Sequence, residues 1–275
     1  MKNVLLMTLL LCTCTTTKDP NPIVDISAQF LGLPYSNVES APDKVFQNIS
    51  GLNCMTFVET VMSIARQGNP DQNLKGIRYY GAKTDEVHRK HFVSADWLPH
   101  NREIGFVEDI TSTIYPEAKV ARAKIDKGRW FHKSKGLEVA QAFDRSKLDK
   151  SIDAKMSYIP IEALVGAHEA STEIVRGQTK IKINTQSVAL NPRITSKIPD
   201  GAIVSMVHRD SEKFKDRIGS SILVGHIGFV IRKDNELYLR HADQPRKMIM
   251  DLPLSVFLNS VKKKFKGINV SVATI

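Results

Sequence analysis

Cysteine is scarce in this chain, with three among 275 residues. Cys12 and Cys14 lie close to the start, so the body of the chain carries one thiol, Cys54, and cannot close an internal disulfide. Long apolar runs are also missing. The stretch Val4 to Leu11 is about 8 residues, against the roughly 20 needed to cross a bilayer. No internal repeat and no low-complexity tract occurs, which excludes a repeat or fibrous architecture. The histidines show neither a paired-cysteine context nor a helical His-Glu-x-x-His spacing, so no metal and no cofactor are expected. No nucleic-acid recognition motif is present, and no nucleic-acid partner is expected despite a formal charge of +10. Such charge attracts polyanions in general, and a carboxylate-bearing wall polymer or an anionic membrane surface suits it better. With 42% hydrophobic and 25% charged residues, the composition is that of a folded globular protein.

The first residues, "MKNVLLMTLLLCTCTTT", combine an early positive charge at Lys2, a short apolar core and a small polar end. This predicts a signal peptide over residues 1–17, with residues 18–275 as the mature chain, exported to the periplasm. Cys12 and Cys14 raise lipidation, and with it a membrane-anchored form, as the alternative to simple cleavage. The leucines and threonine before them match a lipidation site poorly, so both forms stay open. Cleavage at or after Cys12 leaves Cys54 as the one thiol outside the N-terminal tail. In an oxidising compartment a lone thiol is a liability unless buried or used.

Three segments follow. Pro20 to Gly68 holds "FLGLPYS" and the cysteine. Asn69 to Pro199 is mixed and charged, with a Pro-Glu helix-start signal in "YPEAKVARAKID", and reads as an inserted, substrate-shaping region. Asp200 to Ile275 is rich in β-formers, as in "GAIVSMV" and "SSILVGHIGFVIR". Helix first and strands later predict an α+β fold.

In "LNCMTFVETVMSIARQG", Asn53 is a good N-cap, and Phe57, Val58, Val61, Ile64 and Ala65 share one face. Gly68 suits the C′ position. Cys54 falls in the first turn, where free N–H groups and the positive end of the helix dipole favour thiolate. A depressed thiol pKa is therefore expected. A nucleophilic thiol needs a histidine to handle its proton. Of eight histidines, His226 is singled out because it interrupts the apolar run "ILVGHIGFVIR" and must find a partner there. "ELYLRHA" carries His241, and "KDNE" between them is turn-forming. A loop of even length places Gly228 opposite His241. His226 then lies on the same face, diagonally about 7–8 Å away in the backbone. An odd loop places the histidines on opposite faces.

These motifs resemble the papain-like cell-wall hydrolases of the NlpC type, and within them the N-acetylmuramoyl-L-alanine amidase-like branch. "LNCMTFVETVMSIAR" is similar to the Asp-Cys-x-x-Phe-Val-Glu helix of those proteins, and "FLGLPYS" to their Leu-Gly-x-Pro-Tyr segment. "VHRKHFVSADWLPHN" resembles their Arg-x-His-Tyr…Asp-Trp motif, and "MSYIP", "IPDGAIVSMV", "GHIGFV" and "YLRHAD" follow in order. The resemblance spans roughly Ile26 to Asp243. It implies a papain-like core, with a nucleophile helix packed on a C-terminal antiparallel sheet and residues 69–199 inserted. It also implies Cys54 as nucleophile, His226 as base and His241 as the orienting third residue. Tyr35, Arg89, His91, Asp96 and Trp97 are implied near the substrate. The implied activity is hydrolysis of the amide between N-acetylmuramic acid and L-alanine in peptidoglycan or a muropeptide, by a monomer. Cleavage of the stem peptide after γ-D-glutamate, or wall binding without catalysis, are the alternatives. Asn53, Ala202 and Asp243 depart from the pattern, which usually has aspartate, aspartate and serine there.

Overall fold

The computed structural model describes residues 21–37, 51–136, 151–176 and 179–275. The expected signal peptide and Cys12 and Cys14 lie outside them. Helix α1 (Pro22–Ala28), α2 (Cys54–Ala65) and α3 (Pro70–Arg78) come first. Ten strands follow: β1 Val107–Asp109, β2 Lys119–Asp126, β3 Ser151–Pro160, β4 Val165–Arg176, β5 Thr179–Leu190, β6 Ile203–His208, β7 Val224–Lys233, β8 Glu236–Asp243, β9 Met248–Pro253 and β10 Phe265–Ala273. Eight form one antiparallel sheet, ordered β2-β3-β10-β6-β7-β8-β9 with β1 beside β10, while β4 and β5 form a separate pair. The result is a mixed α/β fold built on a large antiparallel sheet.

The sheet is covered on both faces, so its central strands are apolar on both sides. Ile227, Phe229 and Ile231 of β7 join a core with Phe57, Val58 and Val61 of α2. Val204 and Met206 of β6, with Leu237 and Leu239 of β8, pack against Leu254, Phe257 and Leu258 of the helix Leu254–Val261. The period-2 alternation of a strand thus distributes side chains between two cores. Arg240, beside His241, forms a two-pronged pair with Asp251 at 2.8 Å on each arm and donates to Val24 O and Ser27 Oγ at 2.9 Å. A buried guanidinium with this many partners ties β8, β9 and α1 into one unit.

One expectation is corrected here. Residues 119–126 are a strand, not a helix. Ala121, Ala123 and Ile125 are buried at alternate positions while Arg122 and Lys124 between them are exposed. Two of the three inward residues are alanine, so the alternation carries a weak hydrophobic signal. The segment 69–199, read from the sequence as an inserted region, supplies β1, β2 and β3 to the main sheet.

Candidate active site

Asn53 caps α2 as its sequence suggests. Its Oδ1 accepts the N–H groups of Met55 and Thr56 at 3.0 and 2.9 Å, and Thr56 Oγ1 accepts the Asn53 N–H at 2.9 Å. This reciprocal cap uses three of the four free amides at the helix start, those of Asn53, Met55 and Thr56, and fixes the direction of the next residue, Cys54. The helix ends at Ala65 with Arg66 as C-cap, and Gly68, at φ 100°, turns the chain after it rather than sitting at C′. Further along α2, Glu59 is buried and accepts from Arg78 Nε at 2.8 Å, with Arg89 at 3.6 Å. The nucleophile helix is therefore pinned at its cap and through a buried charge.

The hairpin β7–β8 has the two-residue loop Asp234–Asn235, both at positive φ (46° and 66°), closed by Lys233 opposite Glu236. This turn matches the twist of the flanking strands, and Asn and Asp tolerate it. The register continues through Phe229 opposite Arg240, which puts Gly228 against His241. A Cβ at Gly228 would lie 3.0 Å from His241 Cβ and 2.8 Å from Arg240 O, so the site is closed to larger residues. His226 and His241 face the same side, and His226 Nε2 is 2.8 Å from His241 Nδ1. Phe257, on the helix Leu254–Val261, packs against both rings at 5.8 and 5.3 Å between centroids.

Cys54, His226 and His241 share a cavity of about 310 Å³ with Tyr35, Arg246, Phe257 and Lys264. A larger cavity of about 750 Å³, lined by Lys124, Arg129, Lys133 and Lys215, holds no thiol. In the smaller one, the amides of Ile227, Met55 and Cys54 itself are placed to bond the sulfur. Burial nevertheless dominates and pushes the Cys54 thiol up, with Glu59 adding to the rise, against the pull of those amides. This overturns the expectation of a depressed pKa, because a helix terminus offsets only part of the cost of desolvating a thiolate. Burial, then His241, then Lys264 push His226 down to about 3, and burial pushes His241 down to about 4. All three shifts favour the uncharged forms. Iodoacetamide labelling of Cys54 is expected to slow as pH falls and to reach half its plateau above the pH of about 8.5 typical of a free thiol. A rate that stays flat down to about pH 6 would reveal a preformed ion pair and overturn this.

Tyr35 lines the cavity, with its hydroxyl donating to Asn37 Oδ1 at 3.0 Å. The other residues proposed near the substrate are placed elsewhere. Trp97 is 0% exposed and belongs to the core with Phe57 and Val61. Asp96 is equally buried and accepts from Tyr80 Oη at 3.1 Å, from the Phe92 N–H at 3.2 Å and from Lys127. Arg89 is buried beside Glu59. His91 lies 2.8 Å from Glu86 O and packs on Trp130 and Phe131. A π-helical turn, Val93–Trp97, directs Asp96 and Trp97 inward. None of the four borders the Cys54 cavity, and Arg89, His91 and Asp96 line a separate cavity of about 250 Å³. Conversely, sequence reading passed over Phe257, Arg246 and Lys264 as cavity residues. The lysine run before Phe265 was visible as charge, without any sign of what it faces.

Among the described residues no group of three or more His, Cys, Asp or Glu is arranged to hold a metal ion, and no helix is long and apolar enough to cross a membrane.

An antiparallel sheet presenting two hydrogen-bonded histidines beside a thiol at a helix N-terminus defines a mixed α/β protein with a single polar cleft for this chemistry among the described residues. The chain belongs to the N-acetylmuramoyl-L-alanine amidase-like (AmiA-like) family, whose model matches residues 25–268. The structure is similar to that of a protein from Legionella pneumophila, with a TM-score of 0.72 and 25% identity over 92% of this chain and 88% of that one. It is similar in fold to an N-acetylmuramoyl-L-alanine amidase from Bacteroides uniformis, with a TM-score of 0.63 and 21% identity over 92% and 98% of the two chains. No curated protein matches the sequence.

Proposed function

We propose that this protein is an exported, monomeric cysteine amidase with a papain-like core of the NlpC type, which hydrolyses the bond between N-acetylmuramic acid and L-alanine. The observation that carries the reading is the shared cavity of Cys54, His226 and His241, with the 2.8 Å bond between the histidines. That bond occupies Nε2 of His226 and leaves Nδ1 for the thiol. Cys54 Sγ attacks the lactyl carbonyl carbon while its proton passes to His226 Nδ1. The tetrahedral intermediate collapses by breaking the C–N bond, and the L-alanine nitrogen leaves with the proton from His226. Water then attacks the thioester, with His226 as base, releasing the muramic acid carboxylate and the thiol. The Cys54 N–H at the helix start serves to stabilise the oxyanion, and Tyr35, which lines the same cavity, is a candidate second donor if its hydroxyl turns from Asn37. Membership of an amidase-like family supports the bond assigned, and the basic surface suits an anionic wall polymer.

The test is turnover of purified muropeptides, with products weighed by mass spectrometry, in EDTA and without it. The expected products are a sugar bearing a free lactyl carboxylate and an intact stem peptide, in the same yield with chelator. A product retaining sugar, L-alanine and D-glutamate would instead make the protein a stem-peptide endopeptidase. No turnover would make it a binding protein, and loss of activity in EDTA restored by zinc would overturn the thiol chemistry.

A further inference from the structure

His208, at the end of β6, has no part in the chemistry above, yet its ring occupies the space beside the residue preceding His226. Met206 pairs with His226 and Val207 pairs with Val224, so Gly225 is an extra residue in β7. Its effect on direction is visible: Val224 and Ile227 both pack in the core with α2, although they are an odd number of positions apart. The interruption of strand alternation falls immediately before His226. β-Bulges re-aim the side chains next to them. A Cβ at Gly225 would lie 2.0 Å from His208 Nε2, 2.5 Å from its Cε1 and 2.9 Å from its Cδ2. The imidazole therefore fills the volume that any other residue at 225 would need.

The ring is held there from several sides. Phe214 and Phe265 each place a ring centroid 4.8 Å away. The His208 N–H donates to Leu223 O at 2.8 Å, closing the strands just ahead of the bulge. His208 is 2% exposed, and its Nδ1 has no hydrogen-bond partner. A buried ring nitrogen without a partner costs stability, which shape complementarity at Gly225 offsets.

We propose that His208 is a positioning residue, wedged against Gly225 to fix the β-bulge that aims His226 at Cys54 and His241. The proposal rests on His226 being the base. Displacing that imidazole by a fraction of an ångström lengthens its contacts on both sides and slows proton transfer without altering substrate binding.

The experiment compares His208→Ala, Gly225→Ala and the double variant in the full chain. Gly225→Ala forces a methyl group into the ring and is expected to lower kcat about 100-fold. His208→Ala lets the bulge relax and is expected to lower kcat about tenfold with KM unchanged. In the double variant the added methyl occupies space vacated by the ring, so kcat is expected to recover at least about tenfold over Gly225→Ala. A second readout is independent of turnover: the downfield proton NMR signal of the His226–His241 hydrogen bond should broaden or shift in each single variant and return towards the parent position in the double. A double variant no better than Gly225→Ala, or a His208→Ala protein with unchanged kcat and unchanged signal, would overturn the proposal. If Gly225→Ala does not fold, His208→Ala alone decides by the same two readouts. Full turnover by His226→Ala would instead remove the catalytic reading, while the NMR signal would still report whether His208 orients the pair.

Discussion

Replacing Cys54 by alanine is expected to lower kcat for muropeptide hydrolysis by at least about 10⁴-fold and to leave the fold intact. No other cysteine stands among the described residues, so nothing nearby can form the thioester in its place. The residue is only partly buried, and the helix cap is made by Asn53 and Thr56 rather than by the thiol. Removing one sulfur atom should therefore move the thermal midpoint by no more than about 4 °C. Cys54→Ser should be nearly as inactive, because a neutral imidazole activates a hydroxyl less readily than a thiol. Mass spectrometry of the products, with circular dichroism on the same samples, checks both halves. Hydrolysis by a folded Cys54→Ala protein would move the nucleophile to water and end the covalent mechanism.

The two histidines are expected to fail unequally. His226→Ala removes the group that takes and returns the proton and should cost about 10³-fold to 10⁴-fold in kcat. His241→Ala leaves that group in place but removes its 2.8 Å partner, so the ring can rotate between Phe257 and the open cavity. A loss of about 10-fold to 100-fold is expected, with KM little changed. His241→Asn or His241→Gln should recover part of it, since either side chain can offer an oxygen to His226 Nε2. Gly228 keeps a side chain from the opposite strand off the Cβ at position 241, which either replacement retains. Equal losses for His226→Ala and His241→Ala would mean that both move the proton, and an unaffected His241→Ala enzyme would move the orienting role elsewhere.

The features that sequence predicted well are local. Asn53 caps because its own side chain reaches the next two amides, and the Asp234–Asn235 loop forms because those residues accept positive φ. Once the loop length is fixed, alternation places His226 and His241 on one face without any information from the rest of the chain. Features that depend on what packs against a segment were hidden. Nothing in "HRKHFVSADW" shows that Asp96 and Trp97 turn into the core, since an exposed groove and a buried network of charge and aromatic rings use the same residue types. The strand at 119–126 was obscured because alanines mark its inner face. The bulge at Gly225 depends on His208, seventeen positions earlier, and a glycine in a strand does not say what approaches it.

The third residue of the site is an imidazole, and this makes its contact with His226 reversible in polarity. A carboxylate or amide oxygen in that position can only accept. His241 Nδ1 can accept or donate, depending on which of its nitrogens carries hydrogen. When Nδ1 donates, His226 must hold its own hydrogen on the nitrogen facing the thiol and cannot take another. When Nδ1 accepts, the hydrogen sits on His241 Nε2, which is buried without a partner. The competent tautomer is thus the one that leaves an N–H unanswered, and the idle tautomer leaves a lone pair there instead. One heavy-atom arrangement is thus compatible with two proton isomers, and kcat scales with the population of the competent one. Asparagine at 241, with its oxygen towards His226, would collapse the two isomers into one and exchange a divided population for a uniform one.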